Sequence, residues 1–544
     1  MQSKSVAFQL VEALRDLGVK HVFGVPSGGW VDYMEALRQT DGIEFILATH
    51  EGGAAMMAAT CGRITGIPGV CFGTFGPGAT NLTTGVGAAQ LDRAPLIALS
   101  DEIPDAMRHR VTQMNIDHQA LFRPLTKHTT RLRAERVRET IFEAATIALS
   151  DRPGAVHIGL PAGMSAEVTP ASTLAFKVPE PTPAADPETL EALALTIKSH
   201  KQPVIALGLG AVRADVRTEI VELAETLNAP VVLTPMAKGM IGEDHPNYAG
   251  VLFHALSDMV GETHGNADLI IAIGYDPVEF NYEAWAVQAP IVNIDTQPID
   301  IDPTSYPQTI DVIGDIATSV RYLTQQSFSK SAWNLDEVAA RRDAMFAKMS
   351  PFSNTFGPCA ALDVIRDVLV QDGTMSCDVG AHIHLIGQKW PTPEPGLQIM
   401  TNGWSTMGYG IPAAIAAKLC RPEKPVCTVV GDGGFLMTVG ELATAVRHDI
   451  PFVTIVLTDN DLALIRIKQE KKGNPIYGTP VRSSGTIGGD NLFGVPVLST
   501  DTAEGLRTAL ETAFAADGPM VVEAIVDSRE YDDLVLRNDK ASFV

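Results

Sequence analysis

The sequence predicts an α/β protein of three doubly wound α/β domains, each built on a parallel sheet. Two observations carry this. Short apolar runs recur along the chain with helical stretches between them, and they are unbroken, as strands covered on both faces are. A Pro-rich stretch, Val178-Pro179-Glu180-Pro181-Thr182-Pro183, then separates the runs into blocks. It is extended in character and poor in core residues.

The first block, residues 1–175, opens with an amphipathic helix through Ala7-Phe8-Gln9-Leu10-Val11-Glu12-Ala13-Leu14. Charges inside that stretch distinguish it from a signal peptide. Strands are expected at Phe45-Ile46-Leu47, Val70-Cys71-Phe72 and Leu96-Ile97-Ala98-Leu99. The second block, 186–330, begins with a helix. It has runs at Val204-Ile205-Ala206-Leu207, Val231-Val232-Leu233, Leu269-Ile270-Ile271-Ala272-Ile273 and Ile291-Val292-Asn293-Ile294. A less ordered connection is expected over 325–358. The third block, 355–535, starts with a helix near 361–370. Its strands fall at Thr374-Met375-Ser376-Cys377, Val426-Cys427-Thr428-Val429-Val430, Phe452-Val453-Thr454-Ile455-Val456-Leu457 and Met520-Val521-Val522-Glu523-Ala524-Ile525.

With 544 residues, 45% hydrophobic and 19% charged, the chain can fill several large cores. Its 41 basic and 64 acidic residues give a net charge of −23. That field repels phosphate backbones and anionic lipid, which argues against nucleic-acid and membrane partners. An anionic substrate must be drawn in by a local positive site. No apolar run reaches the length of a membrane span. The six cysteines form no C-x-x-C pair and lie in apolar or Gly-rich stretches. They read as small hydrophobes rather than disulfides or zinc ligands, and a cytoplasmic location is expected.

The most informative segment is Val429-Val430-Gly431-Asp432-Gly433-Gly434, followed by a helix and the strand that ends at Thr458-Asp459-Asn460. A strand running into Gly-Asp-Gly sets a carboxylate at the carboxyl end of a parallel sheet. There glycines admit a diphosphate and a helix N-terminus favours its charge. Asp432 and Asn460 end two strands joined by one helix and can converge on one cation. A carboxylate, an amide oxygen, a backbone carbonyl and phosphate oxygens suit Mg²⁺. Taken alone, Gly-Asp-Gly also occurs in ordinary turns.

Paired with Asn460, the segment resembles the diphosphate-anchoring motif of thiamine-diphosphate-dependent enzymes. The resemblance implies thiamine diphosphate and Mg²⁺ as cofactors, with Gly431, Gly433 and Gly434 at the diphosphate. Asp432 and Asn460 become metal ligands, with the backbone carbonyl of Leu462 as the third. Asp459 and Asp461 would be bystanders, exposed or capping. Glu51, in His50-Glu51-Gly52-Gly53, reads by itself as a helix cap. Beside Gly73-Thr74-Phe75-Gly76-Pro77-Gly78-Ala79-Thr80-Asn81, the resemblance makes it the acid at the cofactor's pyrimidine, reached across a subunit interface. It is expected to be buried and protonated. Met407 would wedge beneath the cofactor, its amide and the Ser405 carbonyl holding the pyrimidine, or would simply be core. His382 would donate to the diphosphate or be structural; His384 is a weaker candidate. Pro26, Gly76 and Ile465 complete the implied cofactor contacts.

The resemblance spans nearly the whole chain and is nearest to the acetolactate synthase branch. Ile273-Gly274-Tyr275-Asp276-Pro277-Val278-Glu279-Phe280, Trp285 and Gln469-Glu470-Lys471-Lys472 look like its catabolic, flavin-independent members. This argues against bound FAD, for which the lone Gly208-Leu209-Gly210 is weak support. The implied activity is decarboxylation of a 2-oxo acid with ligation to a second carbonyl compound, in a homodimer or homotetramer whose sites lie at the dimer interface. Gln113 and His118 are the candidate proton donors, in one segment with Arg108 and His109. The chain departs from the branch at Trp30, where a small or basic residue is usual and where Trp would reshape the substrate pocket. It departs also at Phe75, at Met114 beside Gln113, and over 483–493. Alternatives are a simple decarboxylase, another thiamine-diphosphate lyase or acyltransferase, a flavoenzyme like pyruvate oxidase, or a non-catalytic cofactor-binding homologue.

Overall fold

A computed structural model describes residues 3–110, 112–279, 285–286, 289–481, 487 and 489–536. Three α/β domains each carry one large sheet. The first sheet runs, in spatial order, Glu44–Leu47, His21–Gly24, Gly69–Gly73, Leu96–Glu102, Ala155–Pro161, His128–Arg131, all parallel. The central sheet runs Tyr248–Val251, Val231–Leu233, Pro203–Leu207, Leu269–Ile273, Ile291–Asp295, Thr309–Ile313, again all parallel. The third runs Gln398–Ile399, Thr374–Cys377, Val426–Gly431, Val453–Thr458, Met520–Ile525, Val495–Thr500, Asn491–Leu492. Only its last pair is antiparallel. Ser3–Ser5 and Val168–Pro170 form a separate antiparallel pair.

In every sheet the chain starts on an inner strand, builds to one side, then crosses back to build the other. The strand order therefore reverses once per sheet, and at that point the two outgoing loops diverge and leave a crevice at the carboxyl ends of the strands. In the first domain the crevice lies between the loops after Gly24 and after Gly73, which carry Pro26 and Gly76. In the third it lies between the loops after Cys377 and after Gly431, which carry His382 and Asp432.

The central crevice is filled. Gly208 and Gly210 press directly on Gly274, and a Cβ on any of the three would strike the facing backbone. Glu279, only 3% exposed, accepts from the amides of Leu209 and Met236, both at 3.3 Å, and from Thr234 Oγ1 at 3.0 Å. Burial pushes its carboxyl up to about 7. The backbone donors that a nucleotide phosphate would seek already hold a carboxylate.

The first and third domains share one apolar core, through the small faces of helices Glu51–Thr65 and Gly410–Cys420. The central and third domains share another. The connection expected to be less ordered contains a helix, Leu335–Lys348, capped by Asn334. Only Val338 and Met345 on it are buried, so its sequence lacks a strong apolar stripe. Two central strands were not legible: Tyr248–Val251 contains a glycine, and Thr309–Ile313 is a half-exposed edge. Phe280, and residues 483–486 and 488 of the departure over 483–493, lie outside the described residues.

Candidate functional site

The third-domain crevice is a cavity of about 250 Å³. Gly431, Asp432, Gly433 and Gly434 line one wall, His382 and the Ser405–Met407 segment another, and Asp459, Leu462 and Ile465 a third. Strand register explains the convergence. Gly431 pairs with Leu457, so Asp432 and Asn460 emerge from neighbouring strands within one turn of each other. The Asn460 amide donates to Asp432 Oδ2 at 2.7 Å and the Gly433 amide to Oδ1 at 2.8 Å. Asp432 is 2% exposed.

The glycines answer to close approach. A Cβ on Gly434 would collide with Asp378, and one on Gly433 would lie 2.8 Å from Leu462 Cδ2 and 3.2 Å from Met407 Cε. His382 Nε2 is buried without a hydrogen-bond partner, and burial pushes the imidazole down to about 4. An orphaned polar nitrogen on the wall of a cavity with a glycine floor and a carboxylate end fits a bound diphosphate. Asp459 is half-buried, raised to about 7 by burial and then by the charge of Asp432, and caps the Asp461 amide at 3.0 Å. Neither it nor Asp461 is exposed. The Leu462 carbonyl accepts from the amides of Ile465 at 2.8 Å and Arg466 at 3.1 Å, so ligation through it competes with the first turn of a helix.

Among the described residues, none of the first domain lines this cavity. Glu51 heads helix Glu51–Thr65, is 9% exposed, and accepts from Asn81 Nδ2 at 3.0 Å. The backbone of Gly78 passes beside its carboxyl, where a Cβ would sit 3.1 Å from Oε1. One chain thus carries an acid with a glycine loop in one crevice and a diphosphate-shaped cavity in another.

Comparison with known proteins agrees with the motifs. Residues 4–121 match the N-terminal thiamine pyrophosphate binding domain of thiamine pyrophosphate enzymes, 190–323 the central domain and 378–524 the C-terminal binding domain. The acetolactate synthase of Bacillus subtilis (strain 168) is 30% identical over 98% of this chain and 94% of its own. Acetolactate synthase isozyme 3 large subunit of Escherichia coli (strain K12) is 31% identical over 86% and 85%. The catabolic acetolactate synthase of Raoultella terrigena is 30% identical over 96% and 95%. The chain belongs to the thiamine pyrophosphate enzyme family, in its acetolactate synthase branch.

Three buried carboxylates that sequence reading passed over hold the family's loops in place. Asp378 Oδ2 accepts from the Gly408 amide at 2.9 Å and Oδ1 from Val379 and Tyr409 at 2.7 and 3.3 Å, which fixes the turn after Met407. Burial raises it to about 6. Asp92, in the first domain, accepts through Oδ1 from the amides of Asn402, Gly403 and Trp404 in the third, at 3.2, 2.8 and 3.4 Å. Glu441 does the converse, accepting from the amides of Thr49 and His50 at 3.1 and 3.0 Å, just ahead of Glu51. Each domain's functional loop is held by an acid from the other. Glu441→Ala is expected to lose on the order of 2–4 kcal/mol, because two amides and Thr444 Oγ1 lose a charged acceptor that is itself 1% exposed. A denaturant midpoint equal to that of the parent protein would contradict it.

The candidate donors of the first domain lie in the segment that packs on the Gly76 loop. Gln113, Arg108 and His109 are exposed, and Arg108 pairs with Asp105 and Glu102 at 3.2 and 3.6 Å. Met114 backbone, at φ +59°, lies against Gly76, itself at φ +65°. Pro26 is exposed at the mouth of the same crevice. Trp30 does not shape a substrate pocket: it is 1% exposed and stacks on Phe72 at 3.7 Å and Tyr33 at 4.5 Å, inside the core. His384 packs against His254, 5.3 Å between ring centres.

His118 is committed to the fold rather than to a substrate. The Gly76 amide donates to its Nε2 at 3.1 Å, so the proton sits on Nδ1 and goes to Ser100 Oγ at 3.0 Å. Ser100 donates to His157 Nε2 at 2.8 Å, and His157 Nδ1 donates to Thr129 Oγ1 at 2.7 Å. Burial pushes His118 down to about 4 and His157 well below its usual range. Unfolded, both protonate near 6.5. The unfolded chain therefore takes up protons first, and their stabilisation is complete above pH 6.5 and lost as pH falls toward 4. At pH 4 the loss from His118 alone is on the order of 3 kcal/mol. The thermal midpoint is expected to fall steeply between pH 6.5 and 4.5; a level midpoint would contradict these neutral assignments.

Proposed function

We propose that this chain is a thiamine-diphosphate- and Mg²⁺-dependent enzyme that decarboxylates a small 2-oxo acid. It joins the remaining acyl unit to a second carbonyl compound, the product of two pyruvates being acetolactate. The observation that carries this is the cavity at Gly431–Gly434 with Asp432, Asn460 and the orphaned His382 Nε2 around it. When bound there, thiamine diphosphate supplies a carbon nucleophile and an electron sink for departing CO₂. Asp432 and Asn460 hold the metal against the diphosphate, His382 meets a phosphate oxygen, and Met407 supports the pyrimidine end. Glu51 holds a proton at the pyrimidine edge.

Because Glu51 lines no part of its own chain's cavity, the working site is built from two copies, Glu51 and the Gly76 loop of one meeting the third domain of the other. A homodimer is the minimum, and a homotetramer fits as a pair of such dimers. The central domain works without FAD, since Glu279 already satisfies the amides at its crevice. Trp30 lies in the core and leaves the crevice room for pyruvate.

The test is CO₂ release by the purified protein with thiamine diphosphate and Mg²⁺ over a panel of 2-oxo acids, with products identified. Acetolactate from pyruvate, and no flavin absorbance, are expected. Free aldehyde as the sole product would remove the ligation step, and no turnover of any 2-oxo acid would remove the catalytic reading.

A further inference from the structure

Two thiols meet where the first and third domains join. Cys61 lies on helix Glu51–Thr65 and Cys420 ends helix Gly410–Cys420; they are 359 residues apart in sequence, with sulfurs 3.2 Å apart. Both helices are rich in small residues within one shared core, and Cys61 Sγ lies 4.0 Å from the Ala416 carbonyl of the other helix. Thr60 Oγ1 and Tyr409 Oη, 2.9 Å apart, bond the same pair of segments. Cys61 is 8% exposed and Cys420 half-buried, and both line a cavity of about 230 Å³ with Lys20 and His21.

The pair differs chemically from the other four cysteines. Cys71, Cys359, Cys377 and Cys427 are buried, and burial raises each thiol far above the reactive range. Cys420 is lowered, first by its hydrogen bond with Cys61 and then by Arg421 and Lys20, while Cys61 is raised by the same contact. The carboxyl end of its helix opposes a negative charge at Cys420, and the two nearby cations offset this. One sulfur is thus set up to attack and the other to follow.

We propose that Cys61 and Cys420 form a reversible dithiol–disulfide site, closed by a small disulfide oxidant, that ties the first domain to the third. The Cys420 thiolate attacks a sulfur of the oxidant, and one oxidant thiolate leaves. Cys61 gives up its proton and attacks the Cys420 sulfur of the mixed disulfide, and the second oxidant thiolate leaves. Two protein thiols lose two electrons and two protons, and one small disulfide becomes two thiols. A disulfide bond is about 2.05 Å long, so closure draws the sulfurs together by roughly 1.2 Å. Both helices lead back to the candidate active site, one headed by Glu51 and the other entered from Met407-Gly408-Tyr409. Closure therefore displaces the acid relative to its setting and slows turnover.

The experiment equilibrates the full-length protein in glutathione buffers of increasing oxidised fraction, alkylates it, and maps the peptides. Expected is a fall from six free thiols to four, one intrachain Cys61–Cys420 link, and full reversal by dithiothreitol. CO₂ release is expected to drop several-fold in the oxidised form and to be indifferent to oxidant in Cys420→Ser and in Cys61→Ala. Glutathione retained on Cys420, or no link in the folded protein under conditions that oxidise the unfolded chain, would overturn the site. A link that leaves turnover unchanged would overturn its transmission to Glu51. The peptide map does not depend on the proposed reaction, so a failure of that reading leaves the thiol result standing.

Discussion

Glu51→Gln is expected to lower CO₂ release from 2-oxo acids by roughly 10²–10⁴-fold, the usual worth of a positioned proton-transfer group, while cofactor binding stays within a few-fold. The substitution is nearly isosteric. Asn81 Nδ2, 3.0 Å from Glu51 Oε2, still finds an amide oxygen, and the Glu441 clamp on the amides of Thr49 and His50 is untouched. What disappears is the group that can carry a proton, in a setting 9% exposed to solvent where water cannot take its place. The decisive comparison is activity against cofactor affinity. Loss of both together would mean that Glu51 shapes the loop at Gly76–Gly78 and does not handle protons. Unchanged activity would remove it from the chemistry altogether.

The same residue shows how far sequence carries. Glu51 was legible because a motif of glycines and Asn81 lies at fixed distance along one helix–strand–helix unit, and Asp432 with Asn460 because two adjacent parallel strands end in them. Local patterns of this kind survive in sequence. Several strands inside the sheets were legible for a similar reason: doubly covered strands are unbroken apolar runs, as in Leu269–Ile273, all buried. The edge strand Thr309–Ile313 and the Leu335–Lys348 helix, with few buried positions, leave no such trace.

Long-range bonds between side chain and backbone leave none either. Glu441 reaches amides 392 residues away and Asp92 reaches across 311. Nothing in the chain near either acid announces its partner. The available signal was weaker: an acid beside residues that must be buried needs several donors, and such an acid deserves a partner search before it is assigned to the surface. Trp30 shows the opposite error. A large residue after Pro26 was read as facing the crevice, whereas a bulky indole two residues into a helical turn finds more apolar contact underneath it, on Phe72 and Tyr33. Gly208-Leu209-Gly210 is weak support for a nucleotide, and in the fold Gly274 packs against both glycines while Glu279 accepts from the Leu209 amide.

Asp432→Asn is expected to weaken Mg²⁺-dependent thiamine diphosphate binding by at least about 100-fold, since even residues that merely orient a metal ligand cost 10–100-fold. The replacement separates two roles of the carboxylate. Structurally it accepts the Gly433 amide at 2.8 Å and the Asn460 amide at 2.7 Å. Asparagine keeps one of these acceptors and the same volume, so the loop is retained at a cost on the order of 1–3 kcal/mol. Electrostatically it is a negative charge at the end of a cavity whose other wall already crowds Asp459. Asparagine removes that charge, and with it the strongest oxygen donor available to a hard cation. Cofactor titration at rising Mg²⁺ then distinguishes the cases. A lost affinity that excess Mg²⁺ partly restores identifies Asp432 as a ligand, and an affinity unchanged at every Mg²⁺ concentration would leave it a helix-start residue and move the metal site elsewhere.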